Sequence, residues 1–387
     1  MNTTSTHSTS PRRRAGLTAA VATVLVLTAS ACGPDKKDSS SQAVASPSVT
    51  ATATASKGGI DLSKVLQNIK NWSADDWTKW AEQHGFKPEV IKGFWDQAKM
   101  QAAKGMENQE AGVQSSRTAS DNDPAPAPIQ AKPQPHPYST NTAVLGKIYM
   151  QVDDQEAAVC SGTVVSDPAH PGKSNLVWTA AHCLHGGKGK DWFKKISFMP
   201  SFNRSGAASN GKTGSQQQVV PYGVWDADYA VVSPQWTEEG GERGGPVSQY
   251  DFGVIRVHNE EGGGKSLEET VGGSIPVWFN APRNQVSTVS SYGYPQAAPF
   301  DGRELEHCDS SVPPARLSFD ASRPTMYNIG CTMTGGASGG GWFVVKDGKP
   351  ALISNNSIGP RPAAWMAGPS LGDEAKSVFD FISKRQG

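Results

Sequence analysis

Apolar positions recur along this chain in distinct rhythms. Between residues 60 and 104 the rhythm is helical. Leu62, Val65, Leu66 and Ile69 recur at three- and four-residue spacing behind Asp61, a candidate N-cap. Ser73, with Asp76 three residues on, reads as a capping box opening a second helix that Gly85 would stop. Pro88 is expected to open a third, with Ile91, Phe94, Trp95 and Ala98 on one face. From Thr142 onward short apolar or alternating runs are divided by Gly, Pro, Asn and Ser. These predict strands at 144–152, 162–165, 176–179, 196–199, 230–232, 252–257, 286–292, 341–345 and 351–354, then a helix at 372–385. Many short strands with one late helix imply an all-β barrel or sandwich over residues 142–387.

Two stretches have no apolar period. Residues 35–59 are Ser, Thr, Ala and Lys and cannot bury a core, so they read as a flexible tether. Residues 105–141 carry Asp121-Asn122-Asp123-Pro124-Ala125-Pro126-Ala127-Pro128 and Lys132-Pro133-Gln134-Pro135-His136-Pro137. That composition predicts a semi-rigid, partly polyproline II spacer and a domain boundary.

The remaining apolar run, Ala15 to Ala31, follows Arg12-Arg13-Arg14 and reads as a signal peptide over 1–31. It is short and broken by Thr and Ser, which argues against a permanent membrane span. The small residues in Leu27-Thr28-Ala29-Ser30-Ala31-Cys32 resemble a bacterial lipobox. The resemblance implies lipidation of Cys32, with residues 32–59 as a tether off the membrane. Ala29 stands where leucine is more usual, so ordinary cleavage after Ala31 is the alternative.

Composition narrows the picture. Thirty-six basic and 36 acidic residues give a net charge of 0, so no broad field favours nucleic acid. Gly at 41 and Pro at 27 suit a turn-rich β protein. Four of the eleven tryptophans (72, 77, 80, 95) fall in the helical block. They predict a small bundle that needs aromatic area to close its core, or a docking module for a partner, the wall or a pro-region.

The chemistry is concentrated in Gly335-Gly336-Ala337-Ser338-Gly339-Gly340-Gly341. A serine among glycines can present its Oγ while backbone N–H groups point into the same space, as acyl transfer requires. Upstream, Val177-Trp178-Thr179-Ala180-Ala181-His182-Cys183 ends a strand-like run in small residues before a histidine. His182-Cys183-Leu184-His185 read alone could be half a zinc site.

Together, Thr179 to Cys183 and Gly336 to Gly340 resemble the chymotrypsin/trypsin-like serine proteases, nearest their bacterial secreted, V8-like branch. The resemblance implies a two-barrel fold over 142–387 with a C-terminal helix, and a triad ordered His, Asp, Ser along the chain. His182 and Ser338 fit, and Asp251 in Tyr250-Asp251-Phe252-Gly253-Val254-Ile255 matches the family's pattern for the acid, with Asp228 as the competitor. It further implies an oxyanion hole from the N–H groups of Gly336 and Ser338. It also implies bridges Cys160–Cys183 and Cys308–Cys331, and a specificity role for Thr332, six residues before the nucleophile. Backbone bonds to an extended substrate are expected from 354–357, with Ser354 and Asn355 as substrate-binding residues. Thr332 and the 351–356 stretch carry neither the aspartate nor the histidine of basic- or glutamate-specific members, so a small or apolar residue is expected before the cut bond. Ala337 replaces the aspartate that pairs with a new N-terminal ammonium in trypsin-like zymogens, which excludes activation by that ion pair.

The expected activity is that of an exported serine endopeptidase, acting as a monomer on peptide or protein substrates, with no cofactor or metal. The alternatives are an inactive binding module on the same fold and an esterase using the same residues.

Overall fold

The computed structural model describes residues 69–106 and 122–385. The signal peptide, Cys32, the tether and the first expected helix up to residue 68 lie outside the described residues.

Helix α1, Ala74–His84, is closed by the expected capping box. Ser73 Oγ accepts from the Asp76 N–H at 3.2 Å, and Asp76 Oδ2 accepts from the Ser73 N–H at 2.9 Å. No helix opens at Pro88. Gly93 sits at φ 70°, in the left-handed region, and only Gln97–Ala102 (α2) is helical, capped by Asp96. Trp77, Trp80 and Trp95 are buried, but in one continuous cluster with the barrel that follows. Trp95 Nε1 donates to Lys195 O at 2.8 Å and Trp192 Nε1 to His84 O at 2.7 Å. Trp77 packs on Trp72 and Trp80, at 4.8 and 5.9 Å between ring centres, as well as on Phe381, so the block's aromatic core is continuous with its neighbour's.

The strands in chain order are β1 Lys104–Gly105, β2 Lys132–Pro133, β3 Leu145–Gln151, β4 Ala157–Val165, β5 Leu176–Thr179, β6 Lys194–Pro200, β7 Trp225–Val232 and β8 Gly253–His258. There follow β9 Val289–Gly293, β10 Glu306–Ser310, β11 Ala315–Leu317, β12 Met326–Gly330, β13 Gly341–Lys346, β14 Lys349–Asn355 and β15 Trp365–Gly368. The first sheet has the order β1-β4-β3-β6-β7-β8-β5, and β4 also pairs with β5, so six strands close into a barrel. The pairing Thr179↔Gly253 between β5 and β8 is the one that matters for chemistry, because the two candidate residues of this half lie just beyond it.

The second half consists of a five-stranded sheet, β14-β13-β9-β10-β2, and a three-stranded one, β11-β12-β15. Val289, Ile329, Met333 and Trp342 share its core. The C-terminal helix, Asp373–Lys384, buries Val378, Phe379 and Ile382, and Phe379 lies 5.5 Å from the Phe279 ring. Both expected bridges are present, Cys160–Cys183 within the barrel and Cys308–Cys331 between the two sheets.

The proline-rich stretch departs from the expected spacer. It docks on the second half first, where β2 pairs with β10 and Asp123 holds Arg316 at 2.9 Å, and then on the first, where the Tyr138 N–H donates to Arg204 O at 3.1 Å. Tyr138 is fully buried, with its hydroxyl oxygen accepting from the Leu305 N–H at 2.9 Å. Proline is tolerated at such an outer strand, where one edge of the backbone needs no partner.

Candidate active site

His182 sits on a single turn, Ala181–Cys183, directly after β5, and Asp251 directly precedes β8. The ladder between those strands brings them together. Asp251 is fully buried, and its carboxylate accepts three hydrogen bonds. Oδ2 lies 2.7 Å from His182 Nδ1 and takes the Ser357 hydroxyl at 2.6 Å; Oδ1 takes the His182 backbone N–H at 2.9 Å. An ionised carboxylate only accepts, so this pairing places the imidazole proton on Nδ1 and a lone pair on Nε2. Nε2 is buried and has no protein partner among the described residues. Behind Asp251, Asn355 Nδ2 donates to its backbone carbonyl at 3.0 Å while Asn355 Oδ1 accepts from Trp178 Nε1 at 3.0 Å.

Asp228 is elsewhere. On β7 it pairs with Arg256 Nε at 2.7 Å and is about one-third exposed, so its charge is spent on a surface ion pair. The zinc reading is closed as well. Cys183 is bonded to Cys160, and His185 Nδ1 accepts the Gly187 N–H at 3.0 Å.

Ser338 precedes β13 in the second half, and its loop is shaped by contacts that no ammonium supplies. The Gly335 carbonyl accepts from the N–H groups of Gln296 and Ala297 at 2.7 and 3.0 Å, which turns the Gly336 N–H the opposite way. Ser161, on β4, donates its hydroxyl to Gly336 O at 2.9 Å and its N–H to Ser338 O at 2.7 Å. Asn356 Nδ2 donates to Ala337 O at 2.8 Å, and its Oδ1 accepts from Trp342 Nε1 at 2.5 Å and Ser291 Oγ at 2.7 Å. Ala337 is fully buried, with a Cβ on Gly293 calculated to fall only 2.8 Å from its Cα. Gly339 needs its φ of 78°, and a Cβ on it would meet Thr179 Oγ1 at 2.0 Å.

The Gly336 N–H and Ser338 Oγ both donate to one carbonyl oxygen, that of Met106, at 2.8 and 3.2 Å. Beside them lies a small cleft whose walls include Met333, Ile358, Pro360, Trp365 and Met366, with no charged side chain among the described residues.

Three expected substrate contacts need correction. Thr332 does not face this cleft. Its N–H donates to Ile129 O at 3.0 Å and its hydroxyl accepts from Ala131 N at 2.9 Å, because successive side chains of an extended segment point to opposite sides and Met333 takes the cleft side. Ser354 and Asn355 are fully buried in β14, bonded to Pro369 O and to Trp178 and Asp251 respectively. The chain reaches the cleft only at Asn356 to Gly359. Ser357 as a ligand of Asp251, Ser161, Asn356 and Gln296 were not anticipated as site residues. Only Asn356 and Ser357, inside the expected backbone-binding stretch, left a trace in the sequence.

No family model and no curated protein matches this chain. Solved structures do. A thermostable serine protease, AL20, from an extremophilic microorganism is 29% identical, with a TM-score of 0.51 over 64% of this chain and all of that one. Protease Anisep from Arthrobacter nicotinovorans is 27% identical, with a TM-score of 0.50 over 66% of this chain and all of that one. A closed six-stranded barrel, a second β half, the C-terminal helix and these likenesses together give the chain the fold of the chymotrypsin-like serine proteases.

Proposed function

We propose that this chain is an exported serine endopeptidase that cleaves peptide bonds through an acyl-enzyme. The observation carrying the proposal is the convergence of the Gly336 N–H and Ser338 Oγ on a single peptide carbonyl oxygen, in a site that also holds the buried Asp251–His182 pair. In this reading Ser338 Oγ attacks the substrate carbonyl and its proton passes to His182 Nε2. The imidazolium is stabilised by Asp251, and the oxyanion by the N–H groups of Gly336 and Ser338. His182 then returns the proton to the leaving amine. Water, deprotonated by the same nitrogen, releases the acyl group and restores Ser338.

Substrate residues on the acyl side would lie along 357–359, and the uncharged cleft would take a small or apolar side chain before the cut bond. The two disulfides suit an oxidising compartment, and lipidation at Cys32 would hold the enzyme at the outer face of the cell membrane. The substrate is a peptide or protein and the enzyme a monomer.

Exhaustive exposure of the folded, oxidised chain to a fluorophosphonate should label Ser338, and Ser338→Ala should remove the label. Folded protein left unlabelled would overturn the proposal.

A further inference from the structure

Met106 is not a substrate residue brought in from outside. It closes the N-terminal block, and the manner of its docking bears on when the site can work. Residues 104 and 105 form β1, added in parallel to β4 with the register Lys104↔Ala158 and Gly105↔Val159, and the Met106 N–H donates to Val159 O at 2.8 Å. The Ala103 carbonyl accepts from Gln296 Nε2, and Gln296 is the residue whose own N–H holds Gly335. Gly105 lies so close to the nucleophile loop that a Cβ on it would come within 2.3 Å of Gly335 O. Upstream, Met100 and Ala103 are buried, and Gln97 Nε2 donates to Gly214 O at 2.9 Å.

We infer that the N-terminal block is a built-in inhibitor, whose end at Ala103 to Met106 occupies the oxyanion donor and diverts the Ser338 hydroxyl. This rests on the protease reading of the same site. Two features suit inhibition over self-cleavage. Ser338 Oγ donates to Met106 O while His182 Nε2 has no partner among the described residues, so the hydroxyl is turned toward the oxyanion position and away from its base. The residues preceding Met106 lie on β4 of the first barrel, whereas those preceding a cut bond would lie along 357–359 in the second half. The segment therefore enters with its chain direction reversed, and the bond after Met106 is not aligned for cleavage. Tethering makes the block an intramolecular competitor, effective without a high-affinity contact.

Gly105→Val tests this, because the added side chain cannot fit against Gly335. Met106→Pro, which removes the N–H donated to Val159, is an independent second variant. Neither position belongs to the six strands of the closed barrel or to the loop that carries Ser338. The rate of fluorophosphonate labelling in the full chain should rise roughly tenfold in each variant, as expected for losing one or two hydrogen bonds. Hydrogen exchange at the Gly336 amide should accelerate in parallel. Labelling of wild type and both variants at one rate overturns the inhibition and leaves the hydrolase reading intact. A Gly336 amide that exchanges as fast in the wild type as in the variants overturns it too. If no form labels even on exhaustive exposure, the hydrolase reading falls and the inhibition falls with it.

Discussion

The two halves of the molecule hold their parts of the site by different means. In the first barrel the β4–β5 pairing closes the ladder, and the Thr179↔Gly253 register sets His182 beside Asp251 although they stand 69 residues apart in sequence. In the second half, no ladder among the described residues encloses Ser338. Its two sheets are joined by the Cys308–Cys331 bond, and one edge strand, β2, comes from the proline-rich segment. The nucleophile loop is held one hydrogen bond at a time, by Gln296, Asn356 and Ser161. The proposed acid and base are placed by register, the proposed nucleophile by individual contacts. Damage should therefore be graded in the second half and nearly all-or-none at the acid and base.

The sharpest way to break that contrast is at the acid. Asp251→Asn should lower kcat by about ten-thousandfold, because it removes the group that fixes the imidazole tautomer. Asp228→Asn, at the surface ion pair, should leave peptide hydrolysis near wild type, and the reverse result would reassign the acid. The disulfides come next. Both close loops of the same sequence separation, 23 residues, so a chain-entropy account expects about 3 kcal/mol from each. If the second half depends on its covalent tie, Cys308→Ser with Cys331→Ser should cost more in urea unfolding than Cys160→Ser with Cys183→Ser. Equal losses would erase the distinction.

The smallest effect concerns Glu306 on β10. Burial, then the neighbouring Glu304 and Asp301 charges, raise its carboxyl from 4.5 to about 7. A raised carboxyl favours the folded state below its unfolded value, and that advantage is lost as pH rises through the folded value. Wild-type Tm should therefore fall between pH 4.5 and about 7, and Glu306→Gln should flatten that part of the curve. A slope unchanged in the variant would remove Glu306 as its cause.

The candidate site and the scaffolding were not equally legible in the sequence. His182 and Ser338 stand out because a reactive side chain needs small neighbours, and Ala180, Ala181 and the glycines provide them. The strands with apolar runs appear near their expected places, from Leu176–Thr179 to Gly341–Lys346. Strand β10 was missed because Glu306-His307-Cys308-Asp309-Ser310 shows no apolar alternation, although Glu306, Cys308 and Ser310 face inward. The 122–138 segment was misread for a related reason. Part of its docking runs through the backbone, in the β2–β10 pairing and the bond between Thr332 and Ile129, which composition does not display. Thr332, Ser354 and Asn355 failed on facing and register, since adjacent positions in a strand have opposite environments.

Ser161 belongs to the first barrel, yet its hydroxyl and N–H both end on the nucleophile loop of the second, and its Oγ also accepts the Tyr294 N–H at 2.9 Å. A slide of one half against the other, of even an ångström, would stretch these bonds at the proposed nucleophile as soon as anywhere else. The interface between the halves is in that sense a gauge set at the point of chemistry, and a misassembled molecule would be an idle one before it was an unfolded one.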